Sequence, residues 1–173
     1  MTDIIVTPDP DGRAGWLERS GMRMRCALGK GGCKPALEKR EGDGATPLGR
    51  WPLRLVFIRQ DRVAPPRCAL PLVPLDSGMG WCDDPADPAY NRPIRLPFAA
   101  SHEKLWREDH VYDLIVVLGH NDDPPVPGMG SAIFLHVARE GYAPTEGCVA
   151  LKREDLVALL ERVSVDDALV IGN

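Results

Sequence analysis

The sequence predicts a mainly β protein built as one domain, with one or two helices covering the sheet. The chain has 173 residues, which is enough for one substantial core and short for two. It contains 17 glycines and 17 prolines, so turns are frequent and long helices are disfavoured. Short apolar runs recur between these turn residues, as expected for many short strands. We therefore treat residues 1–173 as a single domain.

Six segments have the composition of β-strands. Two of them are nearly continuous apolar runs, and we expect these two in the middle of the sheet because strands buried on both faces have that pattern. The predicted strands are Asp3–Thr7, Met22–Leu28, Leu53–Ile58, Val111–Leu118, Ser131–Ala138 and Ala168–Ile171.

One helix is predicted near the C-terminus. Leu156, Leu159, Leu160 and Val163 are spaced at i, i+3, i+4 and i+7, which places them on one face of a helix. A weaker helical pattern covers Ser101–Trp106.

Charge and composition argue against two classes of function. The formal net charge is -4 and the sequence pI is about 5.6, whereas a nucleic-acid-binding protein presents a basic patch. No stretch approaches the ~20 apolar residues of a membrane span. The first apolar run is only Ile4–Val6 and follows an acidic start, which does not fit a secretory signal. These features predict a cytoplasmic protein without nucleic-acid or membrane partners.

The cysteines indicate reduced thiols rather than a disulfide framework. Their number is odd and no Cys-x-x-Cys pair occurs, so the sequence predicts neither a zinc site nor another cofactor. The five are Cys26, Cys33, Cys68, Cys82 and Cys148.

The segment around Cys148 has the features of a cysteine nucleophile. His136 ends an apolar strand and would serve as the base that a thiol needs near neutral pH. Gly147 allows a close backbone approach, and its N–H would stabilise a developing oxyanion. Thr145 would fix the loop, and Glu146 would either orient His136 or face solvent. From these residues alone, a buried structural thiol and a nucleophile are about equally supported.

Two motifs resemble the L,D-transpeptidase catalytic domain family, also called YkuD-like domains. That family carries a His, a loop and then Ser/Thr-x-Gly-Cys-Val/Ile, and here His136 precedes Thr-Glu-Gly-Cys-Val at 145–149. An early Thr-Pro-x-Gly turn matches Thr46-Pro47-Leu48-Gly49. The motifs occur in the family's order and together cover most of the chain.

The resemblance implies a β-sandwich-type fold and acyl transfer on the stem peptides of bacterial cell wall. Cys148 would attack the bond between the L-centre of a third-position diamino acid and the terminal D-alanine, with His136 as base. The sequence departs from the family where His and Arg are frequent, since Glu146 and Ala150 stand there. We expect these departures to affect substrate binding more than the reactivity of Cys148.

The expected cytoplasmic location favours hydrolysis over cross-linking. Soluble stem peptides or muropeptides and water are available there, which predicts an L,D-carboxypeptidase that trims tetrapeptide stems to tripeptides during wall recycling. The alternatives are an L,D-transpeptidase that cross-links wall in the periplasm, a non-catalytic module that binds stem peptides, and a metal site of His120, His136 and Cys148.

Several other residues are candidates for substrate binding. Asn121 and His120 follow a predicted central strand, Trp81 would wall the groove together with Tyr90, and Arg139 would pair with a substrate carboxylate. Lys39 and Arg40 are further candidates for carboxylate binding, and His102 and His110 are expected at the surface. The oligomeric state is not indicated by the sequence.

Overall fold

The computed structural model describes residues 3–172, and within them the chain forms thirteen strands and one α-helix. The expected cytoplasmic location was based partly on the N-terminal segment, and two of its residues, Met1 and Thr2, lie outside the described residues. The α-helix, α1, is Arg153–Leu160, and short 3-10 turns occupy Ala36–Glu38 and Glu140–Tyr142. The strands are β1 Ile4–Pro8, β2 Ala14–Arg19, β3 Met22–Ala27, β4 Cys33–Pro35, β5 Thr46–Ile58, β6 Leu72–Pro74, β7 Met79–Cys82, β8 Pro93–Arg95, β9 His102–Lys104, β10 Leu114–Leu118, β11 Phe134–Val137, β12 Val149–Leu151 and β13 Ala168–Ile171.

The main sheet closes on itself through its longest strand. Its order is β10-β11-β12-β3-β2-β1-β13-β5-β4, with β6 also paired to β5. The first half of β5 pairs with β13 at Gly49–Pro52, and its second half pairs with β10 at Leu53–Ile58. This second pairing joins β10, at one end of the path, to β5, which is next to the other end, so that the sheet closes around the core.

Two apolar clusters lie on the two faces of the strands that carry the site. The larger cluster fills the interior and includes Leu135 and Leu151, and the helix packs against it through Leu156 and Leu159. The smaller cluster lies on the opposite face and contains aromatic side chains together with Cys148. A three-stranded sheet in the order β8-β7-β9 contributes Trp81 to this second cluster.

The mainly β architecture with a covering helix is as predicted, and each of the six predicted strand segments contains a strand. The two apolar runs lie next to each other in the sheet as β10 and β11, and every residue of both strands is buried. The helical prediction for Ser101–Trp106 is wrong, because this segment forms β9 and pairs with β7. In the part of the chain described, no helix is long and apolar enough to cross a membrane.

Candidate active site

The register between two parallel strands brings Cys148 and His136 to one face of the sheet. Leu135 pairs with Val149, so Cys148 lies beside Phe134 on the neighbouring strand. Side chains alternate between faces along a strand, and His136 is two residues beyond Phe134. The backbone N–H of Phe134 lies 3.4 Å from the Cys148 Sγ and donates to it. The ring of His136 and the Cys148 thiol therefore face the same side of the sheet.

The loop before Cys148 is held by the hydroxyl of Thr145. Its hydroxyl donates to the Cys148 carbonyl oxygen at 2.7 Å and accepts the Gly147 N–H at 3.1 Å. Gly147 has a φ of +131°, and a Cβ at this position would lie 2.8 Å from the Ala45 carbonyl oxygen. The loop requires glycine here for both reasons. The Gly147 N–H is directed at Thr145 in this structure, so the oxyanion role predicted for it would require this hydrogen bond to open.

His136 is buried and held in one tautomer. Its Nδ1 lies 2.9 Å from the Val137 carbonyl oxygen, and since a carbonyl only accepts, Nδ1 carries the proton. A neutral ring then has its lone pair on Nε2, which is the atom that a general base uses. The ring also stands edge-on to Tyr112, with centroids 5.4 Å apart. Burial lowers the pKa of His136 to about 4, so the imidazole is neutral at neutral pH.

The thiol of Cys148 is protonated in the resting structure. Burial, followed by the charge of Glu103, raises its pKa to about 12. The thiol donates to the Ala132 carbonyl oxygen at 3.2 Å rather than to His136. The thiol and the imidazole are therefore both neutral in the resting structure, and the proton must move when the thiol attacks.

The cleft in front of Cys148 has a volume of about 320 Å³ and an acidic wall. Its walls include four carboxylate side chains and one lysine: Glu41, Asp83, Glu103, Glu146 and Lys39. Glu146 is largely exposed and accepts the Lys30 ammonium at 2.9 Å, so it does not orient His136. His102 is half-buried and also lines this cleft, because β9 forms part of the wall.

Lys39 lines the cleft, but its ammonium group is already bound by other residues of the protein. The residue is buried, and its Nζ donates to Asp43 Oδ1 at 2.6 Å and to the Arg40 carbonyl oxygen at 2.7 Å. Burial of Asp43 raises its pKa, but hydrogen bonds from Lys39 and from backbone N–H groups outweigh this effect and lower the pKa to about 2. A substrate carboxylate at Lys39 would have to compete with this ion pair.

His120 and Asn121 line a different, mainly apolar pocket with Trp51 and Met129. The Asn121 amide is engaged within its own loop, donating to the Gly130 carbonyl oxygen at 2.8 Å. His120 is buried and stacks edge-on against Trp51. Because these residues do not line the cleft of Cys148, the predicted alternative of a metal site shared by His120, His136 and Cys148 has no common pocket.

Trp81 is buried and fixes a loop instead of walling the groove. Its indole N–H donates at 3.0 Å to Asn91 Oδ1, which also accepts the Ala132 N–H at 3.0 Å. The Asn91 amide donates to the Asn121 carbonyl oxygen at 2.7 Å. Asn91 therefore holds the backbone of Ala132, whose carbonyl oxygen accepts the Cys148 thiol. The sequence analysis missed Asn91, since nothing in its local pattern distinguishes it from a loop asparagine.

Two other predicted residues lie outside the wall of the cleft. Tyr90 is buried, and its hydroxyl donates to Glu41 Oε2 at 2.5 Å. Arg139 directly precedes the turn Glu140–Tyr142. Burial is the main cause of the lowered pKa of His136, and the charge of Arg139 lowers this pKa further. Arg139 thus contributes to the electrostatics of the site through His136.

Tyr112 and Glu103 were also missed, and both line the cleft. The Tyr112 hydroxyl donates to Glu103 Oε1 at 2.5 Å, and the ring of Tyr112 contacts His136. Burial raises the pKa of Glu103 against the opposing effect of the Tyr112 hydrogen bond. Tyr112 lies near the start of an apolar segment and Glu103 lies in a polar one, and neither pattern gave a signal for these roles.

Solved structures of L,D-transpeptidases are similar to this chain at low sequence identity. L,D-transpeptidase 1 of Mycobacterium tuberculosis is 13% identical with a TM-score of 0.41, and the match covers 99% of this chain and 62% of that chain. An L,D-transpeptidase from Mycobacterium smegmatis is 14% identical with a TM-score of 0.41, covering 98% of this chain and 58% of that chain. The chain thus spans less than two thirds of the length of these structures.

No curated protein sequence matches the chain. The family model of the L,D-transpeptidase catalytic domain, YkuD, matches residues 3–171, which is nearly the whole chain and includes both sequence motifs. The chain therefore belongs to the YkuD family of L,D-transpeptidase catalytic domains.

Proposed function

We propose that the protein is a cysteine-dependent acyl transferase that acts on peptidoglycan stem peptides at the bond between an L-diamino acid and D-alanine. The observation that carries this proposal is the strand register that puts Cys148 and His136 on one face of the sheet, with His136 Nδ1 bound to the Val137 carbonyl oxygen. This arrangement leaves Nε2 as the acceptor for the thiol proton. The site belongs to a domain of the family that performs this chemistry.

The reaction begins with attack of the Cys148 sulfur on the carbonyl carbon of the third residue. The thiol proton passes to His136 Nε2, and the carbonyl oxygen becomes an oxyanion. His136 then returns the proton to the departing D-alanine nitrogen, the C–N bond breaks and a thioester remains on Cys148. In the second half, His136 takes a proton from water and the hydroxide adds to the thioester carbonyl. The C–S bond then breaks, His136 returns the proton to the sulfur, and the tripeptide leaves as the free acid.

We propose water as the acceptor, which makes the protein an L,D-carboxypeptidase that trims tetrapeptide stems to tripeptides. The acidic wall of the cleft supports this choice. Carboxylates such as Glu103 favour the protonated form of a nearby amine, and a protonated amine has no lone pair with which to attack a thioester. The family match favours a second candidate, L,D-transpeptidation, in which an amine is the acceptor and a cross-link is the product.

The test is incubation of wild type, Cys148→Ala and His136→Gln with a soluble disaccharide tetrapeptide, followed by mass spectrometry. We expect wild type alone to release D-alanine and to leave the tripeptide. A cross-linked dimer would instead support the transpeptidase. Unchanged substrate with every protein would overturn both candidates, and unchanged activity in Cys148→Ala would overturn the assigned nucleophile.

The cytoplasmic location and the role in wall recycling remain part of this proposal. Cell fractionation with detection of the full-length protein tests them directly. Recovery in the cytoplasmic fraction is the expected result, and recovery in the periplasm would move the proposed reaction to the assembled wall.

A further inference from the structure

We propose that the carboxylates beside Cys148 form a subsite for a protonated primary amine of the substrate, with Asp83 and Glu103 as the residues that select it. The proposal rests on the proposed function, because it names a chemical group that the same cleft binds. The amine is either that of the diamino acid in the acyl donor or that of an incoming acceptor peptide.

The first support is an excess of negative charge in the cleft. Lys39 lies in the wall, but its ammonium is bound by Asp43. Glu41 and Glu103 each accept a tyrosine hydroxyl rather than the N–H of a cation. Burial raises the pKa of the Glu103 carboxyl group, and the charges of Asp83 and Glu41 add to this against the opposing charge of Arg107, which is itself paired with Asp109. Like charges at this distance destabilise one another, and a bound cation would remove that repulsion.

The second support is a pair of polar atoms buried in the cleft wall without a partner. Among residues 3–172, Asp83 Oδ1 and Ser131 Oγ have no hydrogen-bond partner. Ser131 is only 8% exposed, and the neighbouring Tyr90 hydroxyl already donates to Glu41 and accepts the Gly130 N–H. Buried polar groups are nearly always hydrogen-bonded in native structures. Asp83 and Ser131 both line the cleft, so a ligand with several N–H donors in the cleft would lie next to them.

An ammonium group fits this arrangement better than a metal ion. A metal requires several ligands converging on one point, and in the described residues no three His, Cys, Asp or Glu side chains are placed to hold one. An ammonium carries three donors on a tetrahedral nitrogen and can bind separated acceptors such as Asp83, Glu103 and Ser131. Stem peptides with a diamino acid carry such a group close to the bond that Cys148 would cut.

The experiment measures binding in a protein that cannot turn over. Cys148→Ala is the background, and Asp83→Asn, Glu103→Gln and the control Glu161→Gln are each added to it. Glu161 is an exposed carboxylate that does not line the cleft. Calorimetry gives the Kd for a stem tetrapeptide with a free side-chain amine at its third residue, and for the same peptide with that amine acetylated. Thermal unfolding confirms that each variant is folded.

We expect acetylation to raise the Kd about tenfold in the background and in the control, because a charge-assisted hydrogen bond is lost. In the Asp83→Asn and Glu103→Gln proteins the same acetylation should change the Kd by less than about threefold, since the interaction is already gone. An equal effect of acetylation in all four proteins, or no effect in the background, would overturn the subsite.

A second titration separates the two sources of the amine. An amine-bearing tripeptide is added to background protein saturated with the acetylated tetrapeptide. Binding that depends on Asp83 identifies the acceptor amine, whereas exclusion of the tripeptide identifies the donor amine. Asp83-dependent binding without release of D-alanine by wild type would overturn the proposed reaction while supporting the subsite.

Discussion

Resting-state reactivity of Cys148 follows directly from the electrostatics of the cleft. Burial and the charge of Glu103 raise the pKa of its thiol to about 12, against a usual value of 9.0. The difference of about 3 units lowers the thiolate fraction at pH 7 by about a thousandfold. A more basic thiolate is also a better nucleophile, with a Brønsted slope of about 0.4–0.5. The net expectation is alkylation about 30- to 60-fold slower than that of an ordinary thiol.

The assay is alkylation with iodoacetamide, quantified at the peptide containing Cys148 by mass spectrometry. The same peptide in urea-unfolded protein is the reference, and the rate is measured from pH 7 to pH 10. A rate that rises about tenfold per pH unit across this range shows a raised pKa, whereas simple shielding of the thiol would slow it at every pH with an early plateau.

The variant Glu103→Gln removes the charge that raises the pKa of Cys148 after burial. Alkylation should become faster in this variant, and Glu161→Gln should leave it unchanged. Alkylation of the folded wild type at the unfolded rate at pH 7 would refute the reasoning, because it would show that the pKa of the Cys148 thiol is not raised in the folded protein.

Three further predictions concern stability. Burial lowers the pKa of both His120 and His136 from 6.5 to about 4. Between these pH values the unfolded chain binds more protons than the folded protein. The free energy of unfolding should therefore fall by about 3 kcal/mol per histidine as the pH drops from 6.5 to about 4. Chemical denaturation at several pH values measures it, and a flat profile would contradict it. Asp113 is fully buried and accepts two arginine side chains, so Asp113→Asn should cost about 2–3 kcal/mol of unfolding free energy in urea titrations, and a cost near zero would contradict the buried ion pairs. Gly147→Ala combines positive φ with a clash against a backbone oxygen and should cost about 2–4 kcal/mol, whereas Gly21→Ala has positive φ in open space and should cost about 1 kcal/mol. Equal losses for the two glycines in thermal unfolding would show that the clash is relieved.

Strands were predictable where the hydrophobicity of the local sequence indicates which residues are buried. The apolar runs that became β10 and β11 are buried along their whole length, so their composition alone indicates central strands. The segment of β9, with His102, Glu103 and Lys104, has no apolar alternation, and its strand conformation comes from pairing with β7. A polar segment of this kind adopts the conformation that its neighbour imposes.

The candidate nucleophile and base were predictable because each is marked by residues close to it in the chain. Gly147 beside Cys148, and an apolar strand ending in His136, are local patterns with a chemical meaning. Asn121, Trp81 and Arg139 were chosen by residue type, and the structure places all three outside the wall of the cleft. The type of a residue indicates what its side chain can bind. It does not indicate where the conformation of the loop places that side chain.

By itself, the sequence determined the class of fold and the family, and it singled out Cys148 and His136 as the candidate pair, because these depend on hydrophobic periodicity and short motifs. The tertiary structure alone decided the character of the cleft. Glu103 and Tyr112 reach Cys148 from strands and loops about 40 residues away in the chain. Their hydrogen bond, the buried carboxylates and the raised pKa of the thiol arise only when distant segments are packed together and water is excluded, since charge interactions depend on distance and burial and not on order along the chain.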